Sequence, residues 1–304
     1  MEKNLSRRNF LQTSIITGIG LSLVDPFTAF AASKKSKMKL GLVTYLWAKD
    51  WDLPTLLANC EKTGYHGVEL RCDHKHGVET KLSASERAEV KKRFADSPVE
   101  CLGYGANFEY HSPEQAVLRR NIDQTKEYIK LCKDIGATGI KVKPNDLPKE
   151  VSREKTIAQI ASSLNEIGRF AQDYGQLVRV EVHGNQTQEI PNIRAIFEQV
   201  TEKNVRMCWN CNDQDLLSPG LEPNFNSVKK WFGDTVHVRE LNVGEYPYQQ
   251  LMNLFAGIHY NGWILLEART DPADKIAAML EQKKIFGKML ELSKKSGSSG
   301  KPVE

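Results

Sequence analysis

Val178-Arg179-Val180-Glu181-Val182-His183-Gly184 is the stretch whose reading decides the fold. Alternating valines favour an extended strand, and the strand period of two puts Glu181 and His183 on one face. Polar residues that close an apolar run mark the C-terminal end of a barrel strand, where such folds keep their functional groups. Working outward, similar short runs occupy 39–46, 67–71, 99–104, 139–143, 205–210, 236–241 and 263–268. Between them lie stretches such as 83–94, 114–135, 153–174 and 271–295, with apolar residues three and four positions apart. Eight strands alternating with helices predict an α/β chain forming a single (β/α)₈ TIM barrel. A doubly wound sheet would open with a phosphate-binding glycine turn, and none follows the first run. Gly103-Tyr104-Gly105-Ala106-Asn107-Phe108 lacks the third glycine and is expected as a loop at the barrel mouth.

The N-terminus reads as an address. Ser6-Arg7-Arg8-Asn9-Phe10-Leu11 precedes an apolar run over 15–24 and the small-residue pattern Ala29-Phe30-Ala31. Residues 1–31 are therefore expected to be a twin-arginine signal peptide, 38–295 the barrel, and the glycine- and serine-rich 296–304 a flexible tail. This predicts a periplasmic protein, membrane-associated if the signal is retained, with no membrane span after its removal. The formal net charge of +4 implies no nucleic-acid partner. Six cysteines, Cys60, Cys72, Cys101, Cys132, Cys208 and Cys211, are few for this length and are expected as mostly buried free thiols. Self-association as a homo-oligomer is left open.

The chemistry-bearing residues end the late runs. Glu181 is followed by Asn210, by His237 and Arg239 in Val236-His237-Val238-Arg239-Glu240, and by Glu267 in Trp263-Ile264-Leu265-Leu266-Glu267-Ala268. A lone buried carboxylate is costly, and a divalent cation facing Glu181, His237 and Glu267 would satisfy these groups. Mixed oxygen and nitrogen donors suit Mn, Co, Zn or Mg. Taken singly, each residue has a plainer role: Glu267 paired with Arg269, Glu181 paired with Arg239, His237 as a core histidine.

The wording of these strands resembles the xylose-isomerase-like TIM-barrel superfamily, which includes sugar isomerases, sugar epimerases and endonuclease IV-type proteins. The resemblance implies metal ligands at Glu181, Asn210, His237 and Glu267, with Asn210 departing from the usual aspartate and so removing one negative charge. Nearby Asp213, a water or an inward His183 would then complete the set. It also implies that Glu181 and Glu267 act from opposite faces as base and acid.

Around that centre, Glu69 and Arg71 share a face of the second run and reach toward substrate or pair with each other. His76, in the loop after them, is expected to contact sugar or solvent, and Lys143 to polarise or protonate a substrate oxygen. Tyr45 and Trp47, with Phe108, Tyr110 and His111, offer flat walls for a sugar ring, and His183 and Arg239 complete the substrate contacts. The expected activity is proton abstraction beside the carbonyl of an unphosphorylated sugar or glycoside, by an isomerase or epimerase. The same site would serve a 3-keto-glycoside lyase by β-elimination. A reading of a different class is an exported sugar-binding protein without catalysis; an endonuclease role is disfavoured by export and the mild charge.

Overall fold

The structure is a computed structural model describing residues 37–298, so the expected signal peptide lies outside the described residues. Eight parallel strands close into a barrel in sequence order. They are β1 (Lys39–Val43), β2 (Gly67–Arg71), β3 (Glu100–Glu109), β4 (Gly139–Lys143), β5 (Leu177–Glu181), β6 (Val205–Asn210), β7 (Phe232–Val238) and β8 (Trp263–Leu266). Each is followed by a helix: α1 (Leu53–Thr63), α2 (Ala84–Ala95), α3 (Gln115–Asp134), α4 (Arg153–Asp173), α5 (Ile190–Phe197), α6 (Leu221–Val228), α7 (Tyr248–Gly257) and α8 (Lys275–Ser298). Closure is made where β1 pairs with β8, from Lys39 opposite Trp263 to Leu42 opposite Leu266.

Local chemistry sets the helix ends. Asp52 accepts from the Thr55 N–H at 2.9 Å to start α1, and Gly64, at φ 76, ends it in the left-handed region. Ser83 and Glu86 form a capping box at α2. The helices bury their apolar stripes against the outward strand residues, giving one continuous core of residues such as Leu42, Val68, Ile140, Val180, Trp209 and Ile264. The last helix begins later than the expected residue 271 and runs through Ser298, three residues into the expected tail.

One expectation fails in an instructive way. Residues 103–108 are strand, not mouth loop, because β3 extends to Glu109 with a register shift against β4. Glycine permits this: at Gly103 (φ 132) a Cβ would stand 1.7 Å from the Gly139 carbonyl oxygen, and at Gly105 one would stand 2.5 Å from Glu69 Oε1. The missing side chains let β3 pass close to β4 and leave space inside the barrel for a carboxylate.

Inside the cylinder, Val43, Leu102, Trp263 and Leu265 form a small apolar cluster separate from the outer core. Toward the N-terminal ends of the strands, Arg179 fills the space beside it. Its guanidinium makes two 2.7 Å bonds to Asp234 and donates to the Leu102 carbonyl at 2.6 Å and Thr138 Oγ1 at 2.7 Å. Burial works against both charges, and each holds the other ionised. Asp234→Ala leaves this guanidinium buried without a counter-charge and is expected to cost about 3–5 kcal/mol in urea unfolding; a loss below about 1 kcal/mol would mean that the remaining hydrogen bonds suffice.

Candidate functional site

At the C-terminal ends of the strands, side-chain parity turns Glu69 (β2), Lys141 (β4), Glu181 (β5) and His237 (β7) inward, and Glu267 follows β8 directly. All five are buried. Offered ligand atoms of Glu181, His237 and Glu267 lie within 4.8 Å of one another. His237 is the centre: its Nε2 is 3.2 Å from Glu69 Oε1, and its Nδ1 is 3.5 Å from Glu181 Oε1 and 3.8 Å from Glu267 Oε2.

The two faces of that imidazole differ. Nε2 has a hydrogen-bonding partner in Glu69 Oε2 at 3.3 Å, whereas Nδ1 is buried and has none. Left to themselves the groups settle by proton uptake. Burial opposes charge on the ring, but the Cys208 sulfur and the Glu69 carboxylate raise its pKa well above the ordinary range. A divalent cation held by His237 would satisfy the same atoms differently, since a neutral ring could donate through Nε2–H to Glu69 and leave the Nδ1 lone pair for the metal. That arrangement, a carboxylate behind a ligating histidine, is the usual second contact of metal-bound imidazoles. The donor set fits a divalent metal, since bonds of ~2 Å bring ligand atoms to separations of this order.

Glu181 is pinned from its other oxygen. Lys141 Nζ lies 2.6 Å from Glu181 Oε2, with side-chain exposures of 0% and 1%. Burial raises the Glu181 pKa, but the Lys141 ammonium and His237 outweigh it and hold the carboxyl well below the ordinary value. Glu69 is likewise held low, against burial, by His237 and Lys141. Glu267 is held more loosely, by Arg71 Nη1 at 3.3 Å, with 10% of its side chain exposed. The Arg71 guanidinium also donates to Asn107 Oδ1 at 3.1 Å and lies 5.3 Å from the Tyr45 ring centroid. Lys143 stands one pleat nearer the mouth, half-buried, and its pKa is lowered by burial and by the Lys141 charge.

Residues 57–213 match the sequence profile of the xylose isomerase-like TIM barrel family. The chain belongs to this family. No curated protein matches the sequence. Among solved structures it is similar to L-ribulose 3-epimerase, with TM-score 0.74 and 16% identity, covering 87% of this chain and 100% of that one. The 3-keto-D-glucoside 4-epimerase YcjR from E. coli superposes with TM-score 0.70 at 15% identity, over 83% of this chain and 100% of that one. The zinc-bound IolI protein gives TM-score 0.70 at 15% identity, over 84% of this chain and 99% of that one. At such identities the likeness is one of fold.

Several sequence expectations need correction. Glu69, read as a substrate contact or a partner of Arg71, is buried with its carboxylate against His237 Nε2, so its partner is the imidazole and not Arg71. Trp47 is 2% exposed, packs in the core and donates its indole N–H to the Thr270 carbonyl at 3.0 Å, leaving no face for a sugar. His76 is fully engaged by backbone: Nδ1 accepts from the Val78 N–H at 3.1 Å, so Nε2 donates to the Arg71 carbonyl at 2.8 Å. Tyr110 is buried and bonded to Thr125 Oγ1 at 2.7 Å. The plainer pairings also differ, since Glu181 takes Lys141 instead of Arg239, and Glu267 takes Arg71 instead of Arg269. The charge of Arg239 acts instead on Asp215 and Cys211, lowering the pKa of each against the larger effect of burial.

Other expected residues keep a place at the mouth. Tyr45 lies half-buried beneath Arg71, and His183 is half-buried with Glu181, Lys143 and Lys141 as its charged neighbours. Asn210 pairs in register with His237 and donates its amide N–H to Asn212 Oδ1 at 3.4 Å. All six cysteines are free and only Cys72 is less than buried. That Lys141 is the partner of Glu181 is not legible in the sequence, where nothing says which inward carboxylate a strand lysine meets. At a hundredfold excess over Kd, Co²⁺ or Mn²⁺ is expected to stabilise the protein by about 2.7 kcal/mol in thermal unfolding. Glu69→Gln is expected to lower the metal affinity by about 10–100-fold in calorimetric titration. An unchanged affinity would show that Glu69 does not act through the ring.

Proposed function

We propose that this protein is a divalent-metal-dependent enzyme that abstracts a proton beside the carbonyl of an unphosphorylated sugar, as sugar isomerases and epimerases do. One observation carries the reading: the buried, unpartnered Nδ1 of His237 faces two carboxylates from different strands at the open end of the barrel. Membership of the family supports it, and the resemblance in fold to sugar epimerases is consistent with it. Mn, Co, Zn or Mg would be held by Glu181, His237 and Glu267, with Asn210 as a neutral fourth donor. A bound divalent cation would supply Lewis acidity toward the sugar carbonyl and its adjacent hydroxyl.

The chain's own residues divide the remaining work. Glu181, with one oxygen fixed by Lys141, has Oε1 as the atom that can take up or return a proton. Glu267, nearer the mouth and held only by Arg71, is the complementary acid or base on the other side of the reacting carbon. Lys143, whose ammonium is made a readier donor by burial and by Lys141, protonates or polarises a substrate oxygen. Arg71 and Tyr45 edge the opening where a sugar ring would rest. The twin-arginine signal read at residues 1–31 completes the proposal, placing the enzyme in the periplasm, where free sugars and glycosides are available.

The test is solvent deuterium exchange into L-ribulose, D-tagatose, D-fructose and a 3-keto-glucoside, followed by mass spectrometry and product analysis. Uptake at one carbon with cation present is expected, with loss of about 10²–10⁴-fold in rate in Glu181→Gln and Glu267→Gln. Exchange that persists in both variants would remove the mechanism. Release of the aglycone from the 3-keto-glucoside would make the outcome elimination instead of isomerisation.

A further inference from the structure

Behind His183 runs a chain of hydrogen bonds that the proposed chemistry does not use. His183 Nδ1 lies 2.9 Å from Asn145 Oδ1, and Asn145 Nδ2 donates to Glu109 Oε1 at 2.5 Å. Glu109 ends β3, Asn145 follows β4, and His183 follows β5, so three adjacent strand ends each contribute one member. The direction of the chain is forced from its far end. A carboxylate has only acceptors, so the Asn145 amide must turn its NH₂ to Glu109 and its oxygen to His183. An amide oxygen cannot donate, so the imidazole must donate through Nδ1–H. Its Nε2 is then a bare lone pair.

The backbone is shaped to bring these groups together. Asn145 takes φ 76, a left-handed conformation unusual for a residue with a side chain, and bridges to Gly184, itself at φ 102. A Cβ at Gly184 would stand 2.1 Å from the Asn145 carbonyl oxygen, so only glycine allows the approach. A strained residue held by a close glycine contact at the mouth of the candidate site is a costly arrangement for a loop with no task.

We propose that Glu109 and Asn145 are positioning residues that lock His183 as its Nδ1–H tautomer, so that Nε2 accepts a hydrogen bond from a hydroxyl of the bound sugar. This rests on the sugar-enzyme reading for the identity of the ligand, but the tautomer itself does not. His183 lies two residues beyond Glu181 at the C-terminal end of β5, which sets it at the same opening, with Glu181, Lys143, Lys141 and Arg269 among the charges that act on its ring. An Nε2 acceptor at that place selects substrates with a free hydroxyl there and disfavours those carrying an ether or a deoxy carbon.

Two-bond ¹H–¹⁵N correlation spectra of ¹⁵N-histidine-labelled protein read the tautomer directly. The Nδ1–H form is expected for His183 in the unaltered chain. In Glu109→Gln the new amide can donate as well as accept, so the Asn145 amide is no longer held one way and a fraction of the Nε2–H form should appear. Asn145→Gly, which keeps the left-handed backbone, should give a mixture of both. With the sugar that exchanges deuterium, both variants are expected to raise KM about tenfold while bound metal per chain stays constant. The same sugar should shift the Nε2 resonance of the unaltered chain.

An Nε2–H tautomer in the unaltered chain, or identical spectra for it and Asn145→Gly, overturns the lock. A sugar that undergoes exchange yet leaves the Nε2 resonance unmoved overturns the acceptor role. If no sugar exchanges, the functional reading fails and takes the acceptor role with it, while the tautomer result stands by itself.

Discussion

Everything at the open end of this barrel depends on keeping charge where water is excluded. Glu69, Lys141, Glu181 and His237 are each buried, and an isolated ion in such a place is strongly unfavourable. They are tolerated only as a connected set, with Lys141 against Glu181 and His237 between Glu69 and the two remaining carboxylates. Removing one member would strand another, so the set is tied together more tightly than its separate distances suggest. The absent side chain at Gly105 belongs to the same constraint, because it provides the room Glu69 needs.

The set is not symmetric, and the asymmetry bears on the proposed chemistry. Glu181 is fixed at one oxygen by an ammonium and sealed from solvent, while Glu267 meets a single guanidinium and keeps some exposure. Two carboxylates in different surroundings are the ordinary way for one site to hold an acid and a base at the same pH. Beneath them, Arg179 and Asp234 close the other end of the cylinder with a second buried pair, so polar chemistry stands at both ends and the apolar cluster lies within. A histidine with its tautomer set from behind adds a directional hydrogen-bond acceptor to a site otherwise rich in charges.

Much of this was legible in the residues. The alternation of strand and helix patterns indicated the eight-stranded barrel, and the parity of β5, β7 and β8 singled out Glu181, His237 and Glu267, whose ligand atoms the structure brings together. Strand period is a local property, so an inward face can be read without knowing the neighbours. The misreadings have two causes. Trp47 and His76 have residue types suited to sugars, but their polar atoms are taken by the backbone of Thr270, Arg71 and Val78, and such partners are invisible from composition. The long β3 was missed because its glycines read as loop when considered alone.

The sequence by itself determined the barrel, the strand ends at which Glu181, His237 and Glu267 converge, and the thiols left unpaired. Tertiary structure alone decided the partners: Lys141 for Glu181, Arg71 for Glu267, Glu69 for His237, and Asn145 for His183. The reason is geometric. Which face a side chain occupies follows from its own strand, whereas what it meets across the cylinder depends on the stagger of eight strands and on glycines that let two of them approach more closely than any other residue would allow.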